Sequence, residues 1–206
     1  MGVCKIMNIQ LLIEEFTKTK TEKATYEDVS IEFTNKFSKD LLELHIEMYN
    51  DKYTSWREPN EPIMSRKDLE EELKSSIERR TKNPDSLPLM QIKYKGKLVG
   101  FSFPRKCNGE LDLNQFKITE NENYYKIGNF IIGSKFRGMG IGSIAALKFK
   151  EKYNKLVYTP VPENTQSINV AINMGLKLSH TIYLPQLHWS FTPNSFGNTE
   201  YLVYKN

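Results

Sequence analysis

The residues best suited to chemistry lie between an apolar run and an apolar-periodic one. Asn129-Phe130-Ile131-Ile132 is followed by Phe136-Arg137-Gly138-Met139-Gly140-Ile141-Gly142-Ser143, and then by IAALKFKEKY. The first run reads as a strand, the last as a helix, and the alternating glycines as the turn between them. Such a junction can bring backbone N–H groups close to an anion, and a helix N-terminus adds partial positive charge. Phosphate or pyrophosphate is the guest that suits it. The alternation excludes two familiar cradles. A P-loop needs lysine directly after its last glycine, where Ser143 stands here, and the dinucleotide fingerprint spaces its glycines G-x-G-x-x-G. Downstream, Asn164-x-x-Ser167 opens a predicted helix that ends at Gly175-Leu176, a glycine suited to a C-cap.

These two groups, in this order on strand–turn–helix and strand–helix units, resemble the GNAT superfamily of acyl-CoA N-acyltransferases. The pyrophosphate loop of that family reads [QR]-x-x-G-x-[GA], which Arg137-Gly138-Met139-Gly140-Ile141-Gly142 matches. Its later helix often reads N-x-x-[AS] before a Gly-apolar end, matched by Asn164, Ser167, Gly175 and Leu176. The likeness is clear over residues 88–184 and looser over 29–206. It implies a mixed α/β (α+β) fold, with a mostly antiparallel central sheet flanked by helices. The domain would run over 28–206, behind a short N-terminal extension at 1–27.

The same resemblance implies acetyl-CoA as cosubstrate. The amides of residues 138–143, through Ser143 and behind Arg137, would hold its pyrophosphate. The strand at Phe130, Ile131 and Ile132 would splay from its neighbour and leave backbone groups free near Phe130 and Ile132 for the pantetheine arm. Asn164 and Ser167 would line the other side. The reaction would be direct attack of a primary amine on the acetyl group, with CoA leaving. The acceptor would be a small molecule or a protein N-terminus or lysine.

The catalytic end departs from the family pattern. Many members carry a tyrosine as general acid seven residues after the helix asparagine, where Ala171 stands here. Tyr153, Tyr158 and Tyr183 are substitutes, with Tyr183 placed first. No carboxylate lies in the 124–132 stretch to act as base. Asn129 is a candidate to position a water, and Glu163 a candidate base. Catalysis mainly by proximity stays open. So does a non-catalytic acyl-CoA-binding or regulatory module on the same scaffold.

Other elements must position these residues. VSIEFT (29–34) alternates as a strand, Ser38 caps a helix burying Leu41, Leu44, His45 and Met48, and Ser65 with Asp68 opens a second helix. PLMQIKYKGKLVGFSF (88–103) reads as two strands around a turn at Lys95-Gly96-Lys97, and YYKIGNFII (124–132) as one strand. KLVYTPV (155–161) follows as a strand, 163–175 as a helix, and three C-terminal runs, LKLSHTIY, LHWSFT and TEYLVYK, as strands. Residues 8–16 read as a short helix. Trp56 and Arg57, in a proline-bounded loop, are candidates for the acceptor side, whereas His188 and Trp189 read as packing residues.

Composition narrows the classes. The chain has 206 residues, 39% hydrophobic and 26% charged, with a net charge of +4, which suits one globular domain. KFKEKYNK (148–155) interleaves its lysines with an apolar helix face, so nucleic-acid binding is not expected. No apolar run approaches the roughly 20 residues that span a bilayer, and no leader cleavage site is evident. Two cysteines, Cys4 and Cys107, and three scattered histidines form no metal spacing, which points to a reducing, cytoplasmic setting. A monomer or homodimer is expected.

Overall fold

A computed structural model describes residues 22–50, 63–119, 122–185 and 198–206. The expected helix at 8–16, Cys4, the loop with Trp56 and Arg57, and the run containing His188 and Trp189 lie outside these residues. The described chain runs β1 (Val29–Phe33), α1 (Lys39–Asn50), α2 (Arg66–Lys82), β2 (Met90–Tyr94), β3 (Lys97–Ser102), β4 (Arg105–Cys107), α3 (Glu110–Phe116), β5 (Tyr124–Lys126), β6 (Ile131–Ile132), α4 (Ile141–Lys152), β7 (Leu156–Tyr158), α5 (Thr165–Asn173), β8 (Lys177–Pro185) and β9 (Asn198–Lys205). This is the mixed α/β, mostly antiparallel architecture expected. None of the described helices is long and apolar enough to cross a membrane.

The local signals act as anticipated at several element ends. The Ser38 hydroxyl accepts from the Leu41 amide at 3.1 Å, and Ser65 forms a full capping box with Asp68. Lys95 and Gly96 both take positive φ, so β2 and β3 close as a two-residue hairpin. Residues 105–119 differ from the sequence expectation. That stretch carries no strong periodicity, yet it forms β4 and α3, because Cys107 and Phe116 bury their side chains with Tyr124, Val157 and Val203. Tertiary burial here outweighs weak local preference.

The strands form two sheets, β1-β2-β3-β6 and β4-β5-β7-β9-β8. The strand expected over 124–132 is therefore two strands in different sheets. Asn129 takes a left-handed φ of 42° between them. β5 runs parallel to β7, with Tyr125 opposite Leu156 and Lys126 opposite Val157, while β6 pairs with β3 instead. On the facing side β7 stops at Tyr158, short of the expected end at 161. Pro160 and Pro162 follow and lack the N–H groups that would extend the ladder. Breakers at the same level on both strands open a wedge between β6 and the end of β7.

Helices close both faces. α1 and α2 bury Leu41, Leu42, Met48, Leu73 and Ile77 against Leu89, Phe101 and Ile131. α4 and α5 bury Ala145, Ala146, Phe149 and Ala171 against Met90, Ile92, Val99 and Leu156. A fully buried Phe149 alone is worth about 1.5–3 kcal/mol. β3 and β6 approach closely at Gly100, where a Cβ would stand 2.4 Å from the Ile131 carbonyl oxygen. His45 is wholly buried between α1 and α2, with Nε2 2.6 Å from Glu72 Oε2, and belongs to the core.

Residues 22–28 are tied into this body. Ala24 packs against the core beneath α4, and the Tyr26 hydroxyl donates to Glu151 on that helix.

Candidate active site

The glycine turn sits at the head of α4 and faces a cavity of about 390 Å³. Gly138 and Gly140 take φ of 79° and 86°, a conformation that L side chains resist. Gly140 is the helix N-cap and supplies no capping side chain. Among the described residues, none accepts a hydrogen bond from the amides of 138–143. The turn's carbonyls, by contrast, are engaged from behind. The Gly138 oxygen accepts from Lys23 Nζ at 2.8 Å, and the Met139 oxygen from the Ala24 amide at 2.9 Å. Donors left over at a helix N-terminus form an anion cradle. The space suits one too: a Cβ at Gly138 or Gly140 would meet nothing within 4 Å, while at Gly142 it would enter the cavity floor against Ile132 and Phe130.

Arg137 lines this cavity and is also tied to its surroundings. Its Nε donates to the Ile132 carbonyl at 2.8 Å, and its Nη2 lies 3.6 Å from Glu47 Oε1 on α1. Glu47 also accepts from the Ser134 amide. Arg137 thus braces the approach to the turn. The Ile132 carbonyl, expected to be free for a ligand, is engaged by that brace.

Asn164 and Ser167 line the opposite wall. Asn164 is the N-cap of α5, and its side chain accepts from the Ser167 amide at 3.0 Å. This interaction explains the N-x-x-S spacing by itself. The Ser167 hydroxyl is hydrogen-bonded to the Tyr158 hydroxyl at the end of β7. Asn173 Nδ2 donates to Ser143 Oγ at 2.9 Å and ties the two helices together across the cavity.

A second cavity, of about 340 Å³, opens on the other side of the wedge. It shares Phe130, Tyr158, Asn164 and Ser167 with the first, so the two meet at Tyr158. Phe103, Ile127, Leu184 and Tyr201 supply apolar wall, and Arg105, Lys126, Asn129 and Thr159 supply polar groups. Tyr158 is 6% exposed, and burial pushes its hydroxyl up to about 12, against the opposing effect of the Ser167 bond. It therefore stays protonated across the physiological range. Burial, and then the neighbouring Arg105, bring Lys126 down to about 8.

The other sequence candidates fall elsewhere. Tyr183 is 54% exposed on β8 and lines neither cavity, because its neighbours Ile182 and Leu184 take the inward positions of the strand. Glu163 is exposed and also lines neither. Ala171 is buried in the core. Tyr153 packs among Phe33, Tyr125 and Phe149. Asn129 does line the second cavity, and Phe130, Ile131 and Ile132 line the first. Lys23 and Lys126 carried no signal in the sequence, since each lies in an ordinary lysine-containing segment. Among the described residues, no Asp, Glu or His lines either cavity, and no metal-holding cluster forms.

The profile of the Acetyltransferase (GNAT) family matches residues 41–175, well over half of the chain. No curated protein sequence matches significantly. Solved structures resemble the fold at low identity. The microcin C7 self-immunity acetyltransferase MccE, in complex with acetyl-CoA and AMP, is 17% identical, with a TM-score of 0.55 over 92% of this chain and 98% of that one. The GNAT-family acetyltransferase from Bacillus anthracis is 19% identical, with a TM-score of 0.56 over 90% and 96%. RimL, the ribosomal L7/L12 α-N-protein acetyltransferase in complex with CoA, is 15% identical, with a TM-score of 0.57 over 86% and 93%.

Proposed function

Because the chain belongs to the GNAT acetyltransferase family, we propose that it transfers an acetyl group from acetyl-CoA to a primary amine by direct attack. The observation that carries this is the meeting of the two cavities at Tyr158, one headed by the glycine turn and the other open for an acceptor. The amides of 138–143 would take the pyrophosphate, with Lys23 at the rim adding positive charge. Phe130, Ile132, Asn164 and Ser167 would flank the pantetheine arm. Acetyl-CoA supplies the activated thioester carbonyl.

The protein's residues then have separate tasks. The incoming amine nitrogen bonds to the acetyl carbon while the C–S bond breaks. The leaving thiolate takes the Tyr158 proton, a role suited to a hydroxyl that burial keeps neutral and Ser167 orients. The amine must arrive without its extra proton. The positive charge of Arg105 and Lys126 disfavours an ammonium in the second cavity, so the neutral nucleophile is favoured without a carboxylate base. Asn129 would hold the water that carries the proton away.

Calorimetry with acetyl-CoA, run beside CoA release on a panel of amines, tests this function. Binding with turnover supports it. Binding without turnover on any amine would leave only an acyl-CoA-binding module, and no binding removes the cosubstrate assignment.

A further inference from the structure

The second cavity holds more positive charge than the protein neutralises. Arg105 on β4 and Lys126 on β5 are direct cross-strand partners, so their side chains leave the sheet side by side on one face. Like charges in that position repel. Asp112 makes its hydrogen bonds to only one of them, and acts on Lys126 through its charge alone. Both of its oxygens accept from the Arg105 guanidinium, a bidentate pair that raises the pKa of Arg105. Arg80, behind Arg105, gives its donors to the Leu87 and Pro104 carbonyls and lies over the Phe103 ring. Lys126 Nζ lies 5.1 Å from the centre of the Phe116 ring, and among the described residues no hydrogen bond or ion pair reaches it. A half-buried ammonium beside a guanidinium, with no carboxylate hydrogen-bonded to it, is a ready partner for an anion.

Resting on the acetyltransferase function proposed above, we propose that the acceptor is an amine carrying its own anionic group. A carboxylate or phosphate of the acceptor docks against Lys126 and Arg105 in the second cavity, and its amine reaches toward Tyr158. The cavity volume, about 340 Å³, suits a small acceptor. The apolar wall of Phe103, Leu184 and Tyr201 takes its carbon skeleton. Polycationic amines are disfavoured by the same charges.

The test compares matched acceptors at equal concentrations of neutral amine: phenylalanine with phenylalaninamide, and O-phosphoethanolamine with ethanolamine. The first pair reports a carboxylate and the second a phosphate. The anionic member of at least one pair is expected to have a kcat/KM about tenfold or more higher, the range for a hydrogen bond to a buried charge. That ratio should collapse toward one in Lys126→Met and return in Lys126→Arg. Equal rates within both pairs, or a ratio unmoved in Lys126→Met, would overturn the proposal. Binding of N-acetylphenylalanine and N-acetylphenylalaninamide to the wild-type protein with CoA, and of N-acetyl-O-phosphoethanolamine and N-acetylethanolamine, decides the point without turnover. Tighter binding of an anionic member supports the site, and equal binding within both pairs removes it. Absence of turnover on every amine, by contrast, would count against the acetyltransferase function alone.

Discussion

Tyr158 on β7 and Ser167 on α5 share a hydrogen bond at the point where the two cavities meet. The bond links the end of a strand to the first turn of a helix that Asn164 caps. It holds the one tyrosine that, among the described residues, lines both cavities.

Tyr158→Phe should therefore lower kcat by about 10²-fold, the usual worth of a positioned general acid, with little change in acetyl-CoA affinity. Ser167→Ala should have a smaller effect of the same kind, because it releases the orientation but keeps the acid. Steady-state kinetics with calorimetric binding separates the two terms. A Tyr158→Phe enzyme with unchanged kcat would remove this residue from the chemistry.

The pH profile gives a second check on the same group. Burial raises the Tyr158 hydroxyl to about 12, so it remains a proton donor through the alkaline range. At saturating acceptor, kcat should climb as the amine loses its proton and should not fall again below about pH 10. Tyr158→Phe should keep the shape of that profile at a lower height.

Gly140→Glu should weaken acetyl-CoA binding by about tenfold or more, because a carboxylate at the head of α4 opposes the bound anion. The strain of a side chain at φ 86°, about 1–2 kcal/mol, is shared by free and bound protein and lowers stability instead. Circular dichroism establishes that the variant is folded. Lys23→Ala should cost only a few-fold, and the deficit should shrink as salt is raised.

Lys126 makes a prediction about stability. Its folded-state pKa, about 8, lies below the lysine value of 10.5 because of burial and then Arg105. Between those two values the unfolded chain binds more protons than the folded one, so stability rises with pH through that window. Lys126→Met should remove this rise. It should also stabilise the protein at pH 7, read as a higher Tm. A variant more stable and less selective for its acceptor is the expected signature of a charge kept for binding.

Gly100→Ala should destabilise the fold by about 2–4 kcal/mol in urea unfolding. The new Cβ would press on the Ile131 carbonyl oxygen at 2.4 Å, against backbone that cannot give way.

Sequence alone determined the features that are local. Capping at Ser38 and Ser65, the Lys95-Gly96 hairpin and the turn at Gly138–Gly142 each follow from a few adjacent residues with special backbone or hydrogen-bonding properties. That is why the strand–turn–helix unit could be read directly. The N-x-x-S spacing was legible for the same reason, being an N-cap interaction within one helical turn. Tertiary structure decided everything that depends on distant segments meeting. Only the division of 124–132 between two sheets opens the wedge. Only that wedge brings Tyr158 to both cavities while Tyr183, as much a tyrosine in the sequence, faces out from β8. The pairing of Arg105 with Lys126 is likewise set by register between two short strands. Burial and charge, which distinguish these side chains from others of their type, arise from neighbours far away in the chain.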